Sequence, residues 1–162
     1  MVCLGNICRS PLAEGILKRK LEIAGLNWEV ESTGTNGYHI GESPHKFSQK
    51  IARLNGIDIS CQKCRLFTRK DVDYFDKIYT MANDVIDEMR WIAKGNLDEN
   101  KVELLLDTIF PGEKKDIPDP WYGGEEGYHE VYNLINQACE KIVQDALNEK
   151  KKKHIVESGT AS

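Results

Sequence analysis

The sequence has 162 residues, of which 40% are hydrophobic and 30% charged, and its formal net charge is −4. That length suits a single domain, and the acidic balance argues against a general nucleic-acid binder, which usually carries a basic surplus. No apolar run approaches the ~18 residues that cross a membrane, and the N-terminus lacks the pattern of a secretory signal. We therefore expect a cytoplasmic protein with neither a nucleic-acid nor a membrane partner.

Strand-like and helix-like segments alternate along the chain, which predicts an α/β domain with a parallel sheet. A helix is predicted over residues 10–24, because Ser10 can cap it, Pro11 suits its first turn and Gly25 its end. The remaining elements are predicted as strands over 28–32, 77–81 and 102–106, and as helices over 44–55, 85–93 and 126–148. We expect one domain over 1–148 and a disordered, lysine-rich tail over 149–162.

The segment from Cys3 to Arg9 has the composition of a phosphate-binding loop. Gly5 and Asn6 tolerate the turns that point backbone N–H groups inward, and a helix follows the loop directly, so that its N-terminus also favours an anion. Arg9 can bind two phosphate oxygens at once, and the inward amides stabilise Cys3 as a thiolate. Ser10 is placed to donate a hydrogen bond to that sulfur.

Several motifs give the chain a family resemblance. The run Val2-Cys3-Leu4-Gly5-Asn6-Ile7-Cys8-Arg9-Ser10-Pro11, followed by Ala13-Glu14, resembles the signature of the low-molecular-weight protein tyrosine phosphatases. The similarity continues through residues 32–35, 56–60 and Asp119-Pro120-Trp121-Tyr122-Gly123. It implies a four-stranded parallel sheet of order 2-1-3-4 with helices on both faces. The loop would then follow the first strand, where ligands bind in open α/β sheets.

The resemblance also implies an activity, namely the hydrolysis of phosphotyrosine and small aryl phosphates through a cysteinyl-phosphate intermediate. Cys3 would be the nucleophile, Asp119 the general acid and then base, and Arg9 a ligand of the phosphoryl oxygens. Asp116 is a nearby rival for the acid, but it lies outside the matching motif. No metal or cofactor is needed. The other phosphate-binding residues would be Leu4, Gly5, Asn6, Ile7, Cys8 and Ser10.

Aromatic side chains are expected to wall the mouth of this site. Tyr38, Trp121 and Tyr122 would grip a phenyl ring and make the site too deep for phosphoserine. Trp121 stands where the family usually has a tyrosine. The expected partner is a phosphotyrosine-containing protein, with inorganic phosphate as product, and the expected state is a monomer or weak dimer.

The five cysteines favour free thiols over structural disulfides, because their number is odd. Cys8 would capture an oxidised Cys3 as a reversible disulfide, as the resemblance also implies. Cys61 and Cys64 form a Cys-x2-Cys pair without the further ligands that zinc requires, and Cys139 is expected in the core. No ligand spacing, and hence no role, is found for the histidines, which are His39, His45, His129 and His154.

Two departures from the family pattern are visible. Gln62 stands where many members have a histidine that supports the loop, and its side chain is able to bond to Asn6. Only Met1 and Val2 precede the catalytic cysteine, whereas the family's first strand has about five residues. We therefore expect a truncated first strand and a natural start several residues earlier.

Three other functions remain open at this stage. Thioredoxin-coupled arsenate reductases share the loop but need a further cysteine pair, where this chain has Tyr79-Thr80-Met81-Ala82-Asn83. Protein-arginine phosphatases typically carry threonine at the position of Ile7. A non-catalytic phosphotyrosine-binding module would have no use for both Cys3 and Asp119. Release of phosphate from an aryl phosphate separates an enzyme from such a binder.

Overall fold

The fold is a small parallel sheet covered by helices on both faces. The computed structural model describes the backbone of residues 1–159 and the side chains of residues 1–152. Its strands form one four-stranded sheet in the order β2-β1-β3-β4, which confirms the predicted fold class. All pairs of neighbouring strands run parallel, and the strands are β1 (Val2–Cys3), β2 (Thr33–Gly34), β3 (Ile78–Thr80) and β4 (Val102–Leu104).

Two groups of helices cover the sheet. The helices are α1 (Arg9–Ala24), α2 (Lys46–Leu54), α3 (Arg69–Tyr74), α4 (Asn83–Ile92) and α5 (Glu125–Gly159), and single 3-10 turns span Glu99–Lys101, Leu105–Thr108 and Pro120–Tyr122. Helix α1 packs against α5 and α2, and these three share one buried cluster. Helices α3 and α4 contribute to a second cluster. Val2 belongs to the second cluster and Cys3 to the first, because successive strand residues point to opposite faces.

The strand predicted over residues 28–32 is wrong, since β2 lies later, at Thr33–Gly34. Its register explains the difference: β1 is two residues long, and Val2 and Cys3 pair with Thr33 and Gly34. Before β2 only Glu31 finds a backbone partner, the ammonium group of Met1, and Trp28 is exposed.

Helices α2 and α4 lie within two residues of their predicted bounds, and three helices differ in other ways. Helix α1 begins at Arg9, and the hydroxyl of Ser10 turns to Cys3 instead of capping it. Helix α3 was not predicted, although Thr68 and Asp71 form a capping box at its start. Helix α5 continues beyond Asn148 to Gly159, where a disordered tail was expected. The rest of that tail, residues 160–162, lies outside the described residues, and the division into domain and tail stays a prediction.

The short strand β1 occupies the middle of the sheet. The ammonium group of Met1 donates to the Glu31 carbonyl at 2.8 Å, and burial lowers the pKa of this ammonium to about 6. A cavity of about 630 Å³ lies beside it, between the segment of Glu31 and that of Tyr79. Within the described part of the chain, no helix combines the length and the apolar character that crossing a membrane requires.

Candidate active site

The loop between β1 and α1 is held in shape by the segments around it. Its carbonyl groups accept hydrogen bonds from outside the loop: Thr35 N–H to Cys3 O (3.1 Å), Asn36 N–H to Leu4 O (3.0 Å), Cys64 S–H to Gly5 O (3.2 Å), His45 N–H to Ile7 O (2.7 Å) and Ser48 O–H to Cys8 O (3.2 Å). Because the C=O and N–H of a peptide unit point in opposite directions, carbonyl groups bonded outside the loop leave the N–H groups on its inner side. Inward N–H groups of this kind suit an anion.

Asn6 is the residue that fixes the sharpest part of this loop. Its φ of 54° lies in the left-handed region, which asparagine tolerates better than most residues. The buried side chain donates to Ser10 Oγ and Ser32 Oγ, both at 2.9 Å, and accepts from the Arg65 N–H at 3.0 Å. These bonds from three separate segments offset the backbone strain.

Gly34 is required where β2 passes under the loop. A Cβ atom at this position would lie 2.9 Å from Leu4 O and 3.0 Å from Asn6 Cβ, closer than real contacts allow. The glycine therefore permits the close approach of the two backbones. This contact links the sheet register to the shape of the phosphate loop.

The sulfur of Cys3 is surrounded by hydrogen-bond donors. Cys3 Sγ lies 2.9 Å from Ser10 Oγ and accepts from the Asn6 N–H at 3.2 Å. Cys3 is 3% exposed and Ser10 is fully buried. A thiolate needs such donors, because burial without them would favour the neutral thiol.

Arg9 and Asp119 form an ion pair across the site. Arg9 Nη2 donates to Asp119 Oδ2 at 2.9 Å, and Arg9 Nη1 donates to the Ile117 carbonyl at 2.9 Å. The guanidinium side chain is 7% exposed and the carboxylate side chain 28%. The arginine therefore lies deep in the site, with the aspartate above it toward solvent.

The segment that carries Asp119 is attached to the end of β3 and is held by a turn of its own. The Ile117 N–H donates to the Met81 carbonyl, just after β3, and Asp119 Oδ1 accepts from the Trp121 N–H at 3.1 Å. The rival Asp116 has another task, because its carboxylate accepts from the Asn83 N–H at 2.8 Å at the start of α4. Only Asp119 of this pair contacts Arg9.

A cavity of about 400 Å³ opens above the loop. All the site residues predicted from the sequence line it except Ser10, which supports Cys3 from below. Tyr38 and Tyr122 are more than four-fifths exposed and Trp121 about half, so they stand at the mouth. Asn36 and His39 also line the cavity, and the sequence analysis did not predict them as site residues. Neither belongs to a motif with a characteristic spacing, although both lie in the glycine-rich stretch before Gly41.

The remaining cysteines differ in their surroundings. Cys8 Sγ lies 3.4 Å from Tyr128 Oη, and burial raises the pKa of the Cys8 thiol to about 11. Cys64 is buried against the loop, Cys61 is exposed, and Cys139 is buried in the core as expected. Residues 1–152 contain no cluster of three or more side chains that could hold a metal ion.

Gln62 does not make the bond to Asn6 that its amide group would allow. Gln62 Nε2 donates instead to the Pro11 carbonyl at 3.2 Å, and the Arg65 N–H occupies the side-chain oxygen of Asn6. The Oε1 atom of Gln62 is buried and has no partner among the described residues. The side chain of Asn6 is therefore held by Ser10, Ser32 and Arg65.

Comparison of the sequence with known families gives one match over nearly the whole chain. The model described as low molecular weight phosphotyrosine protein phosphatase matches residues 1–153. A similar curated protein is the low molecular weight protein-tyrosine-phosphatase YfkJ of Bacillus subtilis. It is 37% identical over 151 residues, which are 92% of this chain and 95% of the relative.

Solved structures with a similar fold agree with this match. The crystal structure of YfkJ from Bacillus subtilis superposes with a TM-score of 0.83 at 36% identity, covering 92% of this chain and 93% of that one. A Drosophila arginine phosphatase superposes with a TM-score of 0.82 at 30% identity, covering 90% and 94%.

Proposed function

Because the chain belongs to the low molecular weight phosphotyrosine protein phosphatase family, we propose that Cys3, Arg9 and Asp119 carry out its phosphatase reaction. The observation that carries this proposal is their arrangement. The Cys3 sulfur lies among donors at the base of the loop, and Arg9 connects the loop to the carboxylate of Asp119. This arrangement supplies a nucleophile, an anion ligand and a proton donor in one cavity.

In the first step the Cys3 thiolate attacks the phosphorus atom of the phosphotyrosine. The P–O bond to the tyrosine breaks, and protonated Asp119 gives its proton to the leaving phenolate oxygen. The phosphoryl group competes with Asp119 for Arg9, and its negative charge favours the protonated carboxyl group. Arg9 and the loop amides bind the equatorial oxygens of the transition state.

In the second step water releases the phosphate. The Asp119 carboxylate takes a proton from the water as its oxygen attacks phosphorus, and the P–S bond breaks. Inorganic phosphate leaves, and Cys3 is again a thiolate that Ser10 can stabilise by a hydrogen bond. The phosphatase therefore needs no co-reactant other than water.

The substrate proposed here is phosphotyrosine in a protein, together with small aryl phosphates. Tyr38, Trp121 and Tyr122 surround the mouth of the cavity and can pack against a phenyl ring. Phosphoserine has a shorter side chain and would not carry its phosphorus down to Cys3. The proposed place of action is the cytoplasm, where a reactive thiol and the unpaired cysteines of the described chain stay reduced.

The similarity to an arginine phosphatase makes phosphoarginine the substrate to exclude. Ile7 is buried and lines the cavity with an apolar side chain. Such a side chain suits an aromatic ring better than a guanidinium, which carries several N–H donors. We therefore favour the aryl substrate.

The test is a comparison of phosphate release from matched peptides that contain phosphotyrosine, phosphoserine or phosphoarginine. We expect turnover of the phosphotyrosine peptide, with kcat/KM at least roughly 100-fold above the other two, because only this substrate fills the aromatic mouth. Preferred turnover of the phosphoarginine peptide would overturn the assignment of substrate but not the phosphatase chemistry.

A further inference from the structure

Trp121, two residues after the proposed acid, contacts two histidine rings. The centroid of the His39 ring lies 5.5 Å from that of the indole, with the planes tilted by 56°, and the His45 ring also lies at 5.5 Å, edge-on at 70°. The backbone N–H of Trp121 in turn donates to Asp119 Oδ1. The position of the indole is therefore coupled to the orientation of the carboxylate.

His45 is the better fixed of the two histidines. Its backbone N–H donates to the Ile7 carbonyl at 2.7 Å, which attaches it to the phosphate loop. Its Nδ1 accepts from the Phe47 N–H at 3.3 Å, which caps α2. The ring also stacks on Tyr128, with centroids 5.3 Å apart and planes 14° from parallel. The side chain is thus held by a helix terminus and by an aromatic ring of α5.

By comparison, His39 is held less firmly. Its Nδ1 pairs with Glu42 at 2.9 Å, and that glutamate is largely exposed. The His39 ring also contributes directly to the lining of the cavity, whereas that of His45 does not. A role that acts through another residue therefore suits His45.

We propose that His45 is a positioning residue that fixes the Asp119 segment relative to the phosphate loop, through its ring contact with Trp121. The proposal rests on the function assigned to Asp119 above. The path runs from Ile7 through the His45 backbone and ring to Trp121, and from the Trp121 N–H to the carboxylate. Partial burial lowers the pKa of His45, which favours the neutral ring whose Nδ1 accepts the capping bond.

Two substitutions separate the ring from the cap. His45→Asn keeps a side-chain acceptor at the N-cap but removes the aromatic ring, whereas His45→Phe keeps the ring and removes the acceptor. The backbone bond to Ile7 is available in both. We therefore expect His45→Asn to retain its melting temperature within a few degrees, and His45→Phe to melt roughly 2–4 °C lower.

The first readout compares two substrates. His45→Asn should lower kcat roughly tenfold for phenyl phosphate, whose leaving group needs the proton, and less than about twofold for p-nitrophenyl phosphate. His45→Phe should restore the ratio between the substrates to near that of the wild type. Equal loss on both substrates in His45→Asn, or no loss on either, would overturn the proposal.

The second readout is a double-mutant cycle. Once Asp119→Ala has removed the acid, adding His45→Asn should change kcat for phenyl phosphate by less than about twofold, because nothing is left to position. A further tenfold loss would show that His45 acts on something other than Asp119.

The third readout does not depend on turnover. Amide hydrogen exchange in residues 119–123 should speed up severalfold in His45→Asn and stay close to the wild type in His45→Phe. Unchanged exchange in His45→Asn would overturn the proposal whatever the kinetics. A wild-type enzyme without phosphatase turnover would instead contradict the proposed function, and the exchange experiment would still decide whether His45 positions this segment.

Discussion

Arg9 Nη2 and Asp119 Oδ2 form a hydrogen-bonded ion pair at 2.9 Å across 110 residues of chain. The pair joins the residue proposed to bind the phosphoryl group to the residue proposed to protonate the leaving group. A phosphate ion that enters the loop must therefore displace the Asp119 carboxylate from the guanidinium or share the guanidinium with it. The Asp119 carboxylate therefore competes with the substrate for Arg9, in addition to its proposed role as the acid.

Asp119→Ala should bind inorganic phosphate more tightly than the wild type. Loss of the carboxylate frees Arg9 and removes a negative charge near the anion, which we expect to lower Kd roughly three- to tenfold. Titration calorimetry measures this directly. Asp116→Ala is the matched control, because Asp116 bonds to Asn83 and not to Arg9, and its Kd should match the wild type. An unchanged Kd in Asp119→Ala would show that the ion pair does not oppose anion binding.

The same substitution should slow catalysis according to the leaving group. Asp119→Ala should lower kcat by roughly 10²–10⁴ for phenyl phosphate, the usual contribution of a positioned acid. The loss should shrink for p-nitrophenyl phosphate, whose phenolate leaves without much protonation. Steady-state rates over a series of substituted phenyl phosphates check this, and a loss independent of leaving-group pKa would remove Asp119 as the acid.

Cys3→Ser should give a folded protein without measurable turnover, because a serine hydroxyl does not ionise at neutral pH. Circular dichroism checks the fold and phosphate release the activity. The exposed Cys61 provides the control, since Cys61→Ser should retain wild-type rates. Cys8→Ser should retain measurable turnover, which separates the two cysteines of the loop. Activity in Cys3→Ser would refute the choice of nucleophile.

Hydrogen peroxide should inactivate the enzyme reversibly. Burial raises the pKa of Cys8 to about 11, so at pH 7 Cys8 is a thiol and the oxidant reacts first with Cys3. Cys8 then condenses with the sulfenic acid, releasing water and forming a Cys3–Cys8 disulfide that a thiol reductant can open. Peptide mapping should find this link, and phosphate should protect against it. A link from Cys3 to Cys61 or Cys64 would indicate a different redox pathway.

Gly34→Ala tests whether β2 sets the shape of the loop. The added Cβ would meet Leu4 O at 2.9 Å, so the loop must shift, and a displacement of about 1 Å can cost about 100-fold in rate. Gly127 of α5 provides the control, because the Cβ of Gly127→Ala would lie 3.8 Å from Pro120 Cβ, an ordinary van der Waals distance, and this variant should keep wild-type activity. Full activity in Gly34→Ala would show that this approach is not required.

The phosphate loop and the helix after it could be predicted from the sequence because their determinants are local. Turn-tolerant residues, the helix signal and the cysteine–arginine spacing all lie between Cys3 and Gly25. Asp119, Trp121 and Tyr122 were predicted from the resemblance of one motif to a family, because residues in a loop follow no periodic pattern that would single them out.

The tertiary structure decided which distant groups meet. The alternation of residues over 28–32 predicted a strand there, but β2 is the segment that pairs with β1, Thr33–Gly34. The partners of Asn6 come from Ser10, Ser32 and Arg65, whereas Gln62 turns to Pro11. Likewise, no ligand spacing pointed to His45, whose contacts lie in the loop, the acid segment and α5. Such contacts depend on how helices and strands pack, and packing brings together residues whose separation along the chain carries no signal.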